Sequence, residues 1–105
     1  MKPVRVRISS PAARDLDAIA VHIAQDDPAA ALRVLDRIDA ALRRLATHPR
    51  SGHARRDLSL PTSVRIVTVA PYLIVYTVAR SRVVVLRVLH AARDVGRSFE
   101  STSEE

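Results

Sequence analysis

Val64-Arg65-Ile66-Val67-Thr68-Val69-Ala70, Leu73-Ile74-Val75-Tyr76-Thr77-Val78-Ala79 and Val83-Val84-Val85-Leu86-Arg87-Val88-Leu89-His90 are three β-rich runs in quick succession. Only Pro71-Tyr72 and Arg80-Ser81-Arg82 separate them, so short hairpins and an antiparallel meander are the economical reading. In a regular strand, successive side chains point to opposite faces. Val64, Ile66 and Thr68 then oppose Arg65, Val67 and Val69. Likewise Leu73, Val75 and Thr77 oppose Ile74, Tyr76 and Val78, and Val83, Val85, Arg87 and Leu89 oppose Val84, Leu86, Val88 and His90. Both faces come out largely apolar, whereas an antiparallel sheet with one wet face alternates cleanly.

Upstream, Val4 to Ile8 alternates apolar and polar residues with the period of a half-buried strand. Ser9-Ser10-Pro11 reads as a helix start, a Ser cap followed by Pro at the first helical position. Leu16, Ile19, Ala20 and Ile23 then form an amphipathic stripe. Asp27-Pro28 repeats the start signal after a short break. Leu32, Leu35, Ile38, Leu42 and Leu45 give the second stripe, and His48-Pro49 ends the helix. Helices joined this tightly form an antiparallel hairpin.

The expected architecture is α+β: an N-terminal strand, an antiparallel helical hairpin and a three-stranded antiparallel meander. Residues 1–97 form one domain, and the acidic residues 98–105 a flexible tail. Two helices cover one face of such a sheet but not both. The second face therefore calls for a partner chain, unless residues 91–105 or the 49–62 loop fold back over it.

The chain has 105 residues, enough for a single core. With no Cys or Trp, it has no disulfide framework and no Cys-based metal site, and its core is aliphatic. The most hydrophobic run, Val67 to Ala79, is interrupted by Thr, Pro and Tyr and is short of the ~20 residues that cross a bilayer. The expectation is a soluble cytoplasmic protein without membrane association, cofactor or metal. Lys and Arg number 17 against 11 Asp and Glu, a net charge of +6, and sixteen of the cations are Arg. All three Glu lie in the last six residues, so residues 1–99 carry +9. A domain this basic meets acidic partners, nucleic acid among them.

Catalytic motifs are scarce. Two glycines cannot build a phosphate loop, and His48 and His53 lack helical metal spacing. The Asp residues of the helices read as solvated face charges. There remains Arg87-Val88-Leu89-His90-Ala91-Ala92-Arg93-Asp94 at the end of the last strand, with Arg65 in the neighbouring part of the meander. Arg residues around one His can act on phosphate or cleave RNA by general acid–base catalysis. A hydrogen-bonded histidine at the core edge is the plainer role for His90.

Five pieces in order resemble the RelE/ParE superfamily of toxins, over roughly residues 4–94. They are Ala13-Arg14-Asp15-Leu16-Asp17-Ala18-Ile19, Asp27-Pro28-Ala29-Ala30-Ala31, Leu45 to Gly52, Tyr72-Leu73-Ile74-Val75-Tyr76 and Arg87 to Asp94. Within it the chain is most similar to the ParE branch, toxins of type II toxin–antitoxin modules. The resemblance implies a non-enzymatic protein that poisons DNA gyrase on its DNA and is neutralised, as a hetero-oligomer, by a cognate ParD-like antitoxin. The expected antitoxin contacts are Val67, Val69, Ile74, Tyr76, Val83, Val85 and Leu89, and the expected basic surface is Arg50, Arg55, Arg56, Arg65, Arg87 and Arg93. The alternative is a RelE-type ribosome-dependent mRNA endonuclease using Arg65, Arg87 and His90. It is weakened by the absence of Lys after Lys2 and by Ala91 where such enzymes carry a late Tyr. An inactive member that only binds antitoxin is a third reading.

Overall fold

The structure, a computed structural model, describes residues 2–54 and 63–94. Its elements are β1 (Arg5–Ile8), α1 (Ser10–Ala24), α2 (Pro28–Thr47), β2 (Val64–Val69), β3 (Tyr72–Ala79) and β4 (Arg82–His90). The expected α+β order is present, and the meander pairs as read: β2 with β3 and β3 with β4, both antiparallel. β1 joins the same sheet, lying parallel to β4 with Arg5 opposite Arg82 and Ile8 opposite Val85. The strand order is β1-β4-β3-β2, so the sheet is mixed and β1 and β2 are its edges.

Ser9 ties three elements together. It is the N-cap of α1, its hydroxyl accepting from the Ala12 amide at 3.3 Å. The same hydroxyl donates to the Leu86 carbonyl at 3.0 Å, and the Ser9 amide donates to the Val85 carbonyl. Helix start and sheet edge are thereby fixed together. The cap falls one residue earlier than expected, which puts Pro11 at the second helical position, where an amide has no intrahelical partner in any case. Asp27 caps α2 by accepting from the Ala30 amide.

The helices pack on one face of the sheet. Their core joins Ala12, Ile19, Ile38, Leu42 and Leu45 to Val69, Tyr72, Ile74, Tyr76, Val83, Val85 and Val88. Leu32 departs from the expected stripe: it is 66% exposed, and Ala31 is buried in its place. At 100° per residue, Leu32 sits about 120° round the helix from Ile38, while Ala31, seven residues before Ile38, lines up with it.

The second face carries Val64, Ile66, Leu73, Val75 and Leu89, with Leu86 against them and no residue of either helix among them. All five are 7% exposed or less. The chain shelters this face itself, so it is not an open apolar patch and does not by itself require a partner. A bulge in β4 sets which residues share it. Tyr76 pairs with Val85 and Val75 with Arg87, which leaves Leu86 as an extra residue and reverses the alternation beyond it. Among the described residues, no helix is long and apolar enough to cross a membrane.

Candidate functional site

Beyond α2 the chain turns back and is fastened to the β2 edge. His53 and Ile66 exchange backbone hydrogen bonds of 3.0 and 2.9 Å. The Gly52 amide donates to the hydroxyl of Tyr76, a side chain with no exposed surface, at 2.8 Å. Arg65 donates to the carbonyls of Gly52 (2.8 Å) and Arg50 (3.2 Å). Only glycine fits at 52, because a Cβ there would lie 2.5 Å from the Tyr76 hydroxyl and 2.9 Å from the Ile66 carbonyl.

This fastening shapes a groove of about 320 Å³ between α2 and β2. Its floor is Ala40 and Ala41, small enough to leave room, and Val67 to Val69; Arg37 and Arg44 stand on its rim. Arg37 donates to the Ala70 carbonyl at 2.9 Å, bracing one end. Near the other end, Arg44 and Ser51 also line a second hollow of about 250 Å³ with Gly52 and His53. The groove combines an apolar floor, two cations and a sheet edge, features that suit an extended acidic segment.

A second cluster occupies the end of β4. β1 pairs only as far as Val85, and α1 covers the strand edge beyond. Asp15 accepts two hydrogen bonds from Arg87, at 2.7 and 3.0 Å, and one from the Val88 amide at 2.9 Å. The hydrogen bond to Asp15 raises the Arg87 pKa above its ordinary value, against a smaller desolvation. Asp94 accepts from the His90 amide at 2.8 Å and from Arg93 at 3.1 Å, and the His90 Nδ1 accepts from the Arg93 amide. Tyr72 meets the His90 ring edge-on at 5.5 Å. The Asp94 hydrogen bond likewise raises the Arg93 pKa.

Partial burial pushes the Asp94 carboxyl upward, but the bonds from Arg93 and the His90 amide outweigh it and hold the group below its usual range. A carboxylate with a lowered folded pKa stabilises the fold above its unfolded pKa of ~3.9 and loses that contribution as pH falls through the folded value. The end of β4 is therefore expected to fray first in mild acid. The protection factor of the His90 amide should fall below about pH 4 in the native chain, whereas in Asp94→Asn it should be low and unchanged across the same range. Equal protection of His90 at pH 3 and pH 6 would refute this.

The candidate nuclease residues are not brought together. Arg65 lies in register with Tyr76 and thence Val85, so its backbone is roughly 10 Å across the sheet and roughly 15 Å along it from His90. Arg65 is held by the 50–52 loop and Arg87 by Asp15. His90 does not share a face with Leu86 as a regular strand would have it. The bulge places it with Tyr72 and Val88, where it fills the plainer role of a hydrogen-bonded residue at the core edge.

Of the seven expected antitoxin contacts, Val67, Val69, Ile74, Tyr76, Val83 and Val85 lie on the helix-covered face, and Leu89 alone is on the other. Val67 and Val69 form part of the groove floor. In the expected basic surface Arg50 and Arg93 are exposed, Arg65 is half-buried and Arg87 is exposed but bonded to Asp15. Arg55 and Arg56 lie outside the described residues, as does the proposed tail at 98–105. Sequence reasoning missed Arg37, Arg44, Gly52 and Asp15. The scarcity of glycine was a usable signal for Gly52, but nothing marked Asp15 among the other helical carboxylates.

Comparison with known proteins gives a consistent result. A family model described as ParE toxin of type II toxin–antitoxin system matches residues 6–95. Y4kP of Sinorhizobium fredii, a protein named as a toxin, is 41% identical over 91 residues, covering 87% of this chain and 92% of that protein. Toxin RelE2 of Caulobacter vibrioides is 40% identical over 79 residues, 75% of this chain and 85% of that protein. Among solved structures, the chromosomal ParDE toxin–antitoxin system of P. aeruginosa aligns at TM-score 0.69 and 26% identity, covering 83% of this chain and 95% of that one. The RelBE2 toxin–antitoxin complex of Mycobacterium tuberculosis aligns at TM-score 0.58 and 26% identity, covering 86% and 93%. The chain belongs to the ParE toxin family of type II toxin–antitoxin systems, within the ParE/RelE superfamily.

Proposed function

We propose that this toxin acts without catalysis, poisoning DNA gyrase on its DNA, and is held inactive in a hetero-oligomer with a cognate ParD-like antitoxin. The observation that carries this reading is the commitment of both candidate catalytic arginines to structural bonds, Arg65 with the 50–52 carbonyls and Arg87 with Asp15. Among the described residues no acid–base pair stands beside them: His90 uses its Nδ1 on the Arg93 amide and sits two strands from Arg65. The antitoxin partner draws support from the similar solved structures, which are themselves toxin–antitoxin complexes. The groove between α2 and β2, with Arg37 and Arg44 on its rim, is the surface we assign to an acidic antitoxin segment.

The test is supercoiling by purified gyrase, which the chain should suppress with accumulation of cleaved DNA. His90→Ala should keep that inhibition and lower the melting temperature by only a few degrees. The 40% identity to RelE2 favours ribosome-dependent mRNA cleavage as a second reading. On that reading gyrase is untouched, translating ribosomes show mRNA cuts, and His90→Ala abolishes them.

A further inference from the structure

The sheet is cationic at the edge opposite the groove. Arg5 and Arg7 alternate with Val6, which packs into the helix-side core, and Val6 is in register with buried Val83. Arg5, Arg7 and Arg82 therefore share the other face of β1 and β4, and all three are exposed. Arg5 stands directly opposite Arg82, a like-charge pair that destabilises a sheet by itself. Arg80, exposed in the turn before β4, is drawn to the same corner by the bond from the Arg5 amide to the Ser81 carbonyl. Among the described residues, carboxylates are segregated from this corner: Asp15, Asp17, Asp26, Asp27, Asp36 and Asp39 are on the hairpin, and Asp94 follows β4. Among the described residues, none of these four arginines has a carboxylate partner, whereas Arg33 and Arg43 on α2 do.

We propose that Arg5, Arg7 and Arg82, with Arg80 beside them, bind the phosphodiester backbone of duplex DNA directly, whether or not gyrase is the toxin's target. A row of guanidiniums at strand spacing, about 6.6 Å between same-face residues, is suited to successive phosphates of one strand, and Arg favours bidentate phosphate contact. The duplex is favoured over single-stranded nucleic acid because single-strand sites stack bases on aromatic side chains. Here the only aromatics among the described residues, Tyr72 and Tyr76, are buried. Binding through phosphates alone is independent of sequence and steeply dependent on salt.

The test measures anisotropy of a labelled random-sequence duplex with the full chain across a salt series. Three neutralised phosphates give a log–log salt slope of about −2.7. R5Q/R7Q/R82Q should weaken binding roughly tenfold or more at low salt and flatten the slope by two units or more. R5K/R7K/R82K should keep the native salt slope, because each Lys still neutralises a phosphate, while losing the part of the affinity that bidentate contact supplies. The ion-paired residues of α2 serve as the control: R33Q/R43Q should bind like the native chain. Should R5Q/R7Q/R82Q match the native affinity and slope while aggregating, the arginines protect an edge strand and the proposal fails. It fails equally if the native chain binds polyglutamate but not DNA, since the patch would then be one for an acidic protein.

Discussion

Gly52→Ala is expected to lower the melting temperature of this toxin by roughly 10–25 °C, a loss of about 2–4 kcal/mol. The new methyl would overlap the Tyr76 hydroxyl, the adjoining ring carbon and the Ile66 carbonyl, at 2.5, 2.8 and 2.9 Å. None of these can yield cheaply. Tyr76 is a rigid ring with no exposed surface, and Ile66 is held by its bridge to His53. Either the ring leaves its place in the helix-side core or the 48–54 loop lifts, and lifting also breaks the Gly52–Tyr76 and Arg65–Gly52 bonds. Tyr76→Phe keeps the ring but deprives the buried Gly52 amide of its acceptor, a smaller cost of about 1–3 kcal/mol. Combined, the two should cost less than their sum, because removing the hydroxyl relieves the worst overlap. Thermal unfolding by circular dichroism measures all three variants. A Gly52→Ala melt within about 3 °C of the native one would mean the loop is not fastened as described.

The same substitution bears on function, since the loop forms one wall of the groove assigned to the antitoxin. This dependence was hidden in the sequence. The helices and meander were legible because their signals are local: Asp27-Pro28, His48-Pro49 and the period of Leu16, Ile19 and Ile23 each depend on neighbours along the chain. The parallel pairing of β1 with β4 joins residues some 77 positions apart, and no local pattern announces it. The bulge at Leu86 was invisible for a different reason. Val83 to Leu89 is apolar in both phases, so a reversal of alternation leaves almost no trace, and assigning faces by strict period put Leu89 with Val83 and Val85. That one slip carried His90 to the wrong neighbours. Leu32 shows the limit of stripes, since a 3.6-residue period read from large residues alone overlooks a buried alanine.

The second large effect is expected at Asp15, and it decides what Arg87 is for. Asp15→Ala removes a bidentate ion pair and leaves the Val88 amide without an acceptor at the end of β4 where β1 no longer pairs. The Asp15 side chain is 16% exposed and that of Arg87 48%. Solvent therefore weakens the charge contribution, and most of the expected loss of about 2–3 kcal/mol comes from the stranded amide and the freed α1. Arg87→Ala keeps the Asp15–Val88 bond and should cost only about 1 kcal/mol. The double variant should be no worse than Asp15→Ala alone, because the arginine has nothing left to bond. Additive losses in that cycle would mean that Arg87 has a stabilising partner other than Asp15. Toxicity separates the two roles further. An arginine that only braces the sheet leaves Arg87→Ala fully toxic at temperatures where the variant stays folded. An arginine that stabilises charge on a scissile phosphate makes the folded variant harmless, since losing one such group lowers a rate by about 10²–10³. The bidentate geometry with Asp15 favours the first outcome: the guanidinium is oriented by a carboxylate through Nε and one terminal nitrogen, and only its remaining N–H groups are left to meet a phosphate.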